Sequence, residues 1–360
     1  MFNFDFGKKS FLGVDIGASN IKIVELGLNS GKPFLLNYAW ASIFESASGN
    51  RQVDSEFFKT ALPGYLASII KEADFKSKSA FVSLPSFSGL LTLISLPQIP
   101  KEDMEQAIRF EAHKYIPTSL DDVVLSWEII GEDASTANQM AVKKQTSSEE
   151  KENVQVLLVA ASKSEIKSYE EVVGKAGLAL KGIEIENISM VNSLVGNDNG
   201  NFIIVDIGSR ICNIIYVEKG IIKINRNLDA GGYDLTRTIA KSLGITEERA
   251  ENMKLSGQDF FSVQSEIRFP AVEMITGELS RILSMLSKDG AVVVDAIILS
   301  GGTANLKGFR EFVAEKTGLK TIIGDPFSRV GYDKKLEPVL DKIKTGFSVS
   351  VGLALRGINK

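Results

Sequence analysis

An apolar run at residues 11–14 leads to an acidic residue, Asp15, and then to a turn at Gly17. A second run at 21–26 alternates apolar and polar residues. Alternation with a period of two is typical of strands, so these residues are predicted to form a β-hairpin. Gly17 has no Cβ to cover the backbone N–H groups, which suits an anion such as phosphate, and a carboxylate beside it suits Mg²⁺. Taken alone, the stretch is equally compatible with an ordinary tight hairpin that has an acidic tip.

The same pattern occurs a second time, which favours the phosphate interpretation. The sequence Val-Asp-Ile-Gly at 14–17 recurs at 205–208, and alternating runs follow it at 211–217 and 221–227. Two copies of one β-β-β unit indicate two related lobes. If the two turns face each other across a cleft, they can hold one nucleotide from both sides.

Between the two repeats lies a block whose pattern predicts mixed strands and helices. Apolar runs at 80–84, 90–96, 123–130, 154–161 and 180–185 predict strands, and helical spacing appears at 101–116 and 164–176. The polar, charged stretch at 131–153 is predicted to be a mobile loop. Phe2, Phe4 and Phe6 alternate with polar residues, which favours an edge strand and leaves a weak membrane-surface contact as the alternative.

After the second repeat, two Gly-Gly pairs mark further turns. Gly231-Gly232 opens a predicted helix, where backbone N–H groups are expected to meet phosphate. Gly301-Gly302 follows a predicted buried strand at 292–299 and permits the close approach of a flat ligand, although a plain strand-to-helix turn has the same pattern. Helices are predicted at 246–255 and 271–286, and an amphipathic segment closes the chain at 348–357.

Composition excludes several classes of protein. The 360 residues are 44% hydrophobic with a net charge of −4, which indicates at least two domains and gives no basic surface for nucleic acid. One cysteine, Cys212, excludes an intrachain disulfide, and one histidine, His113, excludes a His-rich metal site. No apolar run reaches the roughly 18 residues of a membrane-spanning helix. The expectation is a soluble, intracellular protein.

The order of these motifs resembles the actin-like ATPase superfamily, which includes actin, MreB and FtsA. Within it the chain is similar to the PilM family of type IV pilus assembly proteins, on the evidence of Phe-Glu-Ala-His-Lys-Tyr-Ile-Pro at 110–117, Val-Ala-Ala-Ser-Lys at 159–163 and Val-Gly-Leu-Ala-Leu-Arg at 351–356. This resemblance covers essentially the whole chain. It implies an α/β, actin-like (ribonuclease H-like) duplicated two-lobe fold with an FtsA-type inserted 1C subdomain.

The resemblance also implies a division of the chain. Residues 1–78 and 182–200, joined by 340–360, would form subdomain 1A, and 79–181 would form the inserted subdomain 1C. Subdomain 2A would comprise 201–235 and 291–339. Subdomain 2B would comprise 236–290.

The resemblance further assigns ATP or ADP with Mg²⁺ as the cofactor and gives roles to matching positions. The implied nucleotide-binding residues are Asp15, Gly17, Ser19, Asn20 and Lys22 in the first turn, Asp206, Gly208 and Ser209 in the second, Gly231 and Gly232 near the phosphates, Glu251 and Lys254 near the ribose and adenine, and Gly301, Gly302 and Thr303 over the base. Asp15 and Asp206 are the implied Mg²⁺ residues. Glu186 falls where the superfamily places a water-orienting catalytic side chain.

The implied function is a cytoplasmic ATP-binding scaffold of the inner-membrane platform that assembles type IV pili. Its expected partners are the cytoplasmic N-terminal segment of PilN and other platform or motor proteins, and a homo-oligomer is allowed. The second turn departs from the family, because Arg210 stands where small hydroxyl residues are usual, so weak or absent ATPase activity is expected. Two alternatives are an FtsA-like division protein, although no C-terminal tether is expected after 348–357, and a small-molecule kinase, for which no substrate motif is found.

Overall fold

The structure is a computed structural model that describes residues 9–43, 55–130, 153–262, 264–288 and 293–359. The strand predicted around Phe2–Phe6 and all but the last residue of the loop predicted at 131–153 lie outside the described residues.

Strands and helices alternate in blocks along the chain. The strands are β1 (Phe11–Ile16), β2 (Asn20–Asn29), β3 (Lys32–Ser42), β4 (Ser79–Leu84), β5 (Gly89–Pro97), β6 (Val123–Ile130), β7 (Asn153–Ser162), β8 (Ala179–Ile185), β9 (Asn201–Ile207), β10 (Cys212–Glu218), β11 (Ile221–Leu228), β12 (Ala296–Ser300) and β13 (Thr321–Ile323). The helices are α1 (Ser55–Thr60), α2 (Leu62–Glu72), α3 (Lys101–Ala112), α4 (Lys163–Lys175), α5 (Glu186–Leu194), α6 (Gly232–Leu243), α7 (Glu247–Leu255), α8 (Pro270–Lys288), α9 (Phe309–Thr317), α10 (Glu337–Ile343) and α11 (Ser348–Ile358).

Two five-stranded sheets with the same topology form the two lobes. The first has the order β3-β2-β1-β4-β8 and the second the order β11-β10-β9-β12-β13. In both, three antiparallel strands are followed by two that join in parallel. The internal repeat therefore predicted the architecture correctly, and the actin-like two-lobe fold is confirmed.

A smaller sheet, β5-β7-β6, is inserted in the first lobe. Helix α3 covers one face of it and contributes Met104, Ile108 and Ala112 to a separate small core. The block predicted for 79–181 begins with β4 and ends within β8. The structure places these two strands in the sheet of the first lobe. The insert therefore leaves the first lobe after β4 and returns to it with α4 and β8.

Strand β7 of the insert is apolar on both faces because one face packs on the core of the insert and the other on the core of the first lobe. Val156 and Leu158 face the core under α3. Leu157 and Val159 are partly buried against the core of the first lobe. The insert is thus attached to the first lobe through one face of its sheet.

Helix α11 is buried almost all round, and the predicted amphipathic character of this segment is wrong. Of its eleven residues only Arg356 and Ile358 are partly exposed. The helix lies so close to its neighbours that a Cβ on Gly352 would fall 1.9 Å from the Ser189 carbonyl of α5, and one on Gly13 would fall 1.8 Å from the Ser350 carbonyl. Glycines at these two positions permit the close contact. The serines and glycines of the helix are buried, so the helix has no solvent-facing polar side of the kind that an amphipathic helix has.

The second lobe has its own core, to which α6 and α8 contribute Leu235, Ile239, Ile275 and Leu279. Among the described residues, no helix is both long and apolar enough to cross a membrane.

Candidate functional site

The first repeated turn joins β1 to β2 and leaves amide donors free at its tip. The Gly17 N–H donates to the Asn20 carbonyl at 3.0 Å, and a Cβ on Gly17 would lie 3.0 Å from the same oxygen. Within the described part of the chain, nothing accepts a hydrogen bond from the amides of Ala18 and Ser19. Unpaired amides in a tight turn form a site for an anion.

The second turn, between β9 and β10, has the same geometry. The Gly208 N–H donates to the Ile211 carbonyl at 3.0 Å, and a Cβ on Gly208 would lie 3.2 Å from that oxygen. The amides of Ser209 and Arg210 also have no acceptor among the residues that the structure covers. The Arg210 side chain is exposed.

Asp15 is the last residue but one of β1 and is a buried carboxylate with two partners. The Ser83 hydroxyl donates to Oδ1 at 3.0 Å, and the Lys22 ammonium lies 3.6 Å from Oδ2. Lys22 comes from the strand opposite, where it is directly paired with Asp15. Its ammonium also lies 5.2 Å from the centre of the Trp40 ring, within the range of a cation–π contact. Sequence reasoning missed Ser83 and Trp40, which belong to ordinary strand patterns.

Asp206 occupies the corresponding position at the end of β9 and is electrostatically linked to the first turn. Burial raises its pKa, Lys22 lowers it, and repulsion from Asp15 raises it further. The contacts agree with this proximity, because the Ser86 hydroxyl of the first lobe donates to Asn213 Oδ1 at 2.6 Å and Asn213 is paired with Asp206. The structure therefore brings together the Asp-Ile-Gly turns that the sequence paired only by repetition.

Glu186 begins α5, the helix that follows the last strand of the first sheet. Its Oε1 accepts hydrogen bonds from the Ser86 N–H and from Asn213 Nδ2, both at 3.0 Å. The Ser86 hydroxyl donates to Asn213 Oδ1 at 2.6 Å, which closes a triangle. Burial and then repulsion from Asp15 raise the pKa of Glu186 to about 7. The carboxyl is thus oriented by two neighbours that sequence reasoning did not connect with it.

Gly231 and Gly232 lie beside the second turn, but their amides are not free. The Gly232 N–H donates to the Gly208 carbonyl at 2.9 Å, and the Gly231 N–H donates to Asp234 Oδ2 at 2.9 Å. Both amides therefore have acceptors within the chain, and their approach to a phosphate stays a prediction. The glycines instead permit close packing, since a Cβ on Gly231 would lie 2.5 Å from the Ser209 carbonyl.

Lys254 and Glu251, the positions matched to ribose and adenine, form a polar cluster at the start of α6. The buried Lys254 ammonium donates to the Gly232 carbonyl at 2.9 Å and to Thr236 Oγ1 at 2.8 Å, and lies 2.7 Å from the Glu251 carboxylate. Thr236 also bonds to Glu251. Burial lowers the pKa of Lys254. Glu251 remains partly exposed and is the member of this cluster that a ligand can reach.

Position 301 requires a glycine, because the turn that begins there packs against the end of β9 in the second repeat. Its φ is +83°, and a Cβ would fall 2.3 Å from the Ile207 carbonyl. The next glycine, Gly302, is exposed, and Thr303 is buried next to Gly232. The Gly301 N–H donates to the Thr345 carbonyl at 3.0 Å, in the segment that leads into α11.

No three His, Cys, Asp or Glu side chains in the described ranges converge closely enough to hold a metal ion by themselves. A Mg²⁺ ion near Asp15 and Asp206 would therefore need other oxygens, from a phosphate and from water, as Mg²⁺ commonly has. The residues fit that requirement, because the free amides beside each carboxylate could bind the phosphate whose oxygens would complete the coordination.

Comparison with known proteins gives one family over nearly the whole chain. Residues 13–358 match the family model described as type IV pilus assembly protein PilM. A solved PilM-PilN type IV pilus biogenesis complex is similar with a TM-score of 0.79 and 26% identity, over 96% of this chain and 98% of that one.

One solved structure and one curated protein are similar at lower identity. The ethanolamine utilization protein EutJ from Carboxydothermus hydrogenoformans has a TM-score of 0.54 at 17% identity, over 98% of this chain and 91% of that one. The cell division protein FtsA of Streptococcus pneumoniae serotype 2 (strain D39 / NCTC 7466) is 21% identical over 347 residues, which are 86% of this chain and 74% of that protein.

Proposed function

Because this chain belongs to the PilM family of type IV pilus assembly proteins, we propose that it is a nucleotide-binding scaffold of the pilus assembly platform. In this role it binds ATP or ADP with Mg²⁺ between its lobes and docks the cytoplasmic N-terminal segment of PilN. Its place is the inner face of the cytoplasmic membrane, reached through such partners.

The observation that carries nucleotide binding is the pair of equivalent turns. Each presents two unpaired amides, at Ala18 and Ser19 and at Ser209 and Arg210. Such backbone amides can bind phosphate oxygens without a change in the conformation of the turn, so little free energy is lost to rearrangement. Two such turns, electrostatically linked across one cleft, suit the successive phosphates of a nucleotide.

Lys22, Asp15 and Asp206 supply the charges that such a ligand needs. The Lys22 ammonium, now 3.6 Å from the Asp15 carboxylate, is placed to interact with a phosphate between the turns. Asp15 and Asp206 would hold Mg²⁺ through its water shell, and the ion would neutralise phosphate charge. Glu251 would contact the ribose, and the exposed backbone at Gly302 would lie along the base.

The partner site proposed for PilN lies between the first lobe and the insert. The sheet face opposite α3 is only partly covered by the first lobe, which leaves Val124 45% exposed on the edge strand β6 and Leu157 half-buried on β7. An extended peptide with apolar side chains can pair with such an edge and fill the space over these residues. The similar PilM-PilN complex supports the identity of the partner.

A division protein is the less well supported reading. The FtsA relative is 21% identical, whereas the family model that spans residues 13–358 is that of a pilus assembly protein.

A peptide titration tests the docking half of the proposal. A fluorescently labelled peptide from the cytoplasmic N-terminus of the cognate PilN is titrated with the full chain, and saturable binding is expected. A scrambled peptide of the same composition is the control. Equal binding of the two peptides would remove the partner assignment.

A further inference from the structure

The triangle formed by Ser86, Asn213 and Glu186 joins three parts of the molecule that are distant in sequence. Ser86 lies in the short 3-10 turn Ser86–Ser88, which leads from β4 of the first lobe into β5 of the insert. Glu186 begins α5, and Asn213 belongs to β10 of the second lobe. The side chain of Ser86 is 1% exposed and that of Asn213 is 2% exposed, so water does not compete for these hydrogen bonds.

The triangle also touches the proposed nucleotide cleft. Asn213 is paired directly with Asp206 across the second hairpin. Burial raises the pKa of Glu186, and the negative charges of Asp15 and Asp206 raise it further. A ligand that binds these aspartates and moves the lobes relative to each other must therefore act on the bonds that Asn213 and Glu186 make with Ser86.

The other end of the triangle is the root of the insert, which has little freedom to move independently. A Cβ on Gly89, the first residue of β5, would lie 2.7 Å from Ile185 and 3.0 Å from the Ala160 carbonyl of β7. Because Gly89 is packed closely against both neighbours, a displacement of Ser86 should also displace β5 and β7. Strand β7 carries Leu157, which lines the proposed peptide groove.

We propose that Ser86 and Asn213 form a latch that couples nucleotide binding in the cleft to peptide binding at the insert. This inference rests on the proposed function, since it needs both ligands. A nucleotide that holds both turns keeps the second lobe, and with it Asn213, against Ser86. The insert is then held in the position that forms the groove, and the peptide binds more tightly. By linkage the peptide tightens nucleotide binding by the same factor.

The test compares the Kd of the PilN peptide with and without Mg²⁺ and the non-hydrolysable analogue AMPPNP. In the wild type, AMPPNP is expected to lower the Kd about fivefold or more, the range of ordinary allosteric couplings. Ser86→Ala and Asn213→Ala each remove one side of the triangle and should bring the ratio of the two Kd values to within about twofold of one. Each ligand alone should still bind to these variants.

Ser88→Ala is the matched control, because Ser88 lies in the same turn and its hydroxyl bonds to no residue in the described ranges. In Ser88→Ala, the ratio of the peptide Kd without AMPPNP to the Kd with AMPPNP should equal that of the wild type. A wild-type ratio of one, or an unchanged ratio in both Ser86→Ala and Asn213→Ala, overturns the latch while the proposed function stands. Failure of the wild type to bind the peptide or AMPPNP at all removes the proposed function and the latch together.

Hydrogen exchange in the unaltered protein gives a measurement that does not depend on the folding of the variants. The Ser86 amide donates to Glu186, so AMPPNP should slow its exchange and that of β5. Unchanged exchange in this segment at saturating AMPPNP would contradict the latch.

Discussion

Asn213 stands in the second repeat where Lys22 stands in the first, each paired across its hairpin with the aspartate that ends the preceding strand. The two positions have diverged in their contacts. Lys22 turns to the aspartate of its own hairpin, and Asn213 turns to Glu186 and Ser86. One copy of the repeat thus supplies a positive charge to the cleft, and the other supplies a link to the insert.

Glu186 should make the stability of the protein depend on pH. A carboxyl with a pKa of about 7 in the folded chain and 4.5 when free binds its proton more strongly in the folded state. Stability is therefore lost as the pH rises from about 4.5 to 7. Glu186→Gln, which cannot ionise, should be more stable than the wild type at pH 8, by roughly 3 kcal/mol at most, and should match it near pH 4. Urea unfolding at both pH values measures this difference, and equal pH profiles for the two proteins would contradict it.

Trp40 should report nucleotide binding through its fluorescence. The Lys22 ammonium lies over its ring, and a bound phosphate is expected to draw this charge away. Trp127→Phe leaves Trp40 as the only tryptophan, because the chain has two. In this background, Mg²⁺-ATP should change the emission, and an added Lys22→Met should abolish the change. Constant emission at nucleotide concentrations that calorimetry shows to saturate the protein would argue against the predicted movement of Lys22.

Gly352→Ala should destabilise the fold strongly, because its Cβ would lie 1.9 Å from the Ser189 carbonyl and α11 would have to move from α5. The expected loss is about 3 kcal/mol. Gly277→Ala is the control within another helix, α8, where a new Cβ has no atom within 4 Å. It should be neutral or stabilising by up to about 1 kcal/mol. Denaturant unfolding of both variants measures the contrast, and equal effects would show that the α11 contact is not close.

Val124→Asp should weaken binding of the PilN peptide at least tenfold, because it places a charge on the proposed apolar groove. Val339→Asp is matched to it, since the two valines are 45% and 47% exposed and Val339 lies on α10, a helix that packs in a core separate from that of the insert. That variant should bind the peptide like the wild type. If both variants bind equally well, and both melt at the wild-type temperature, the groove is not at β6.

The duplicated turns were predictable because their chemistry is local. A strand, an acidic residue and a glycine stand within a few positions of one another, and their repetition predicted the two lobes. The Ser86–Asn213 bond was not predictable, because Ser86 lies in a short turn and Asn213 in an apolar strand, and only the packing of the lobes brings them together. The burial of α11 was missed for a similar reason. Its serine and glycine positions resemble a polar face, but tertiary contacts bury all of them.

The ends of the insert show another limit of sequence reasoning. Strands β4 and β8 have the same apolar pattern as β5 and β7, so periodicity does not show which sheet each one joins. Strand β4 belongs to the sheet of the first lobe because it pairs in parallel with β1, and β8 belongs to the same sheet because it pairs in parallel with β4.

Calorimetric titration with Mg²⁺-ATP tests the central claim, that the two Asp-Ile-Gly turns hold one nucleotide between the lobes. Asp15→Asn and Asp206→Asn keep the shape of each side chain and remove its charge, so each should weaken binding at least tenfold, or about 1.4 kcal/mol. Asp74→Asn is the matched control, since Asp74 is exposed and pairs with Lys76, and it should bind like the wild type. One site per chain, weakened by both substitutions in the turns, is the predicted result. Wild-type affinity in both Asp15→Asn and Asp206→Asn would contradict it.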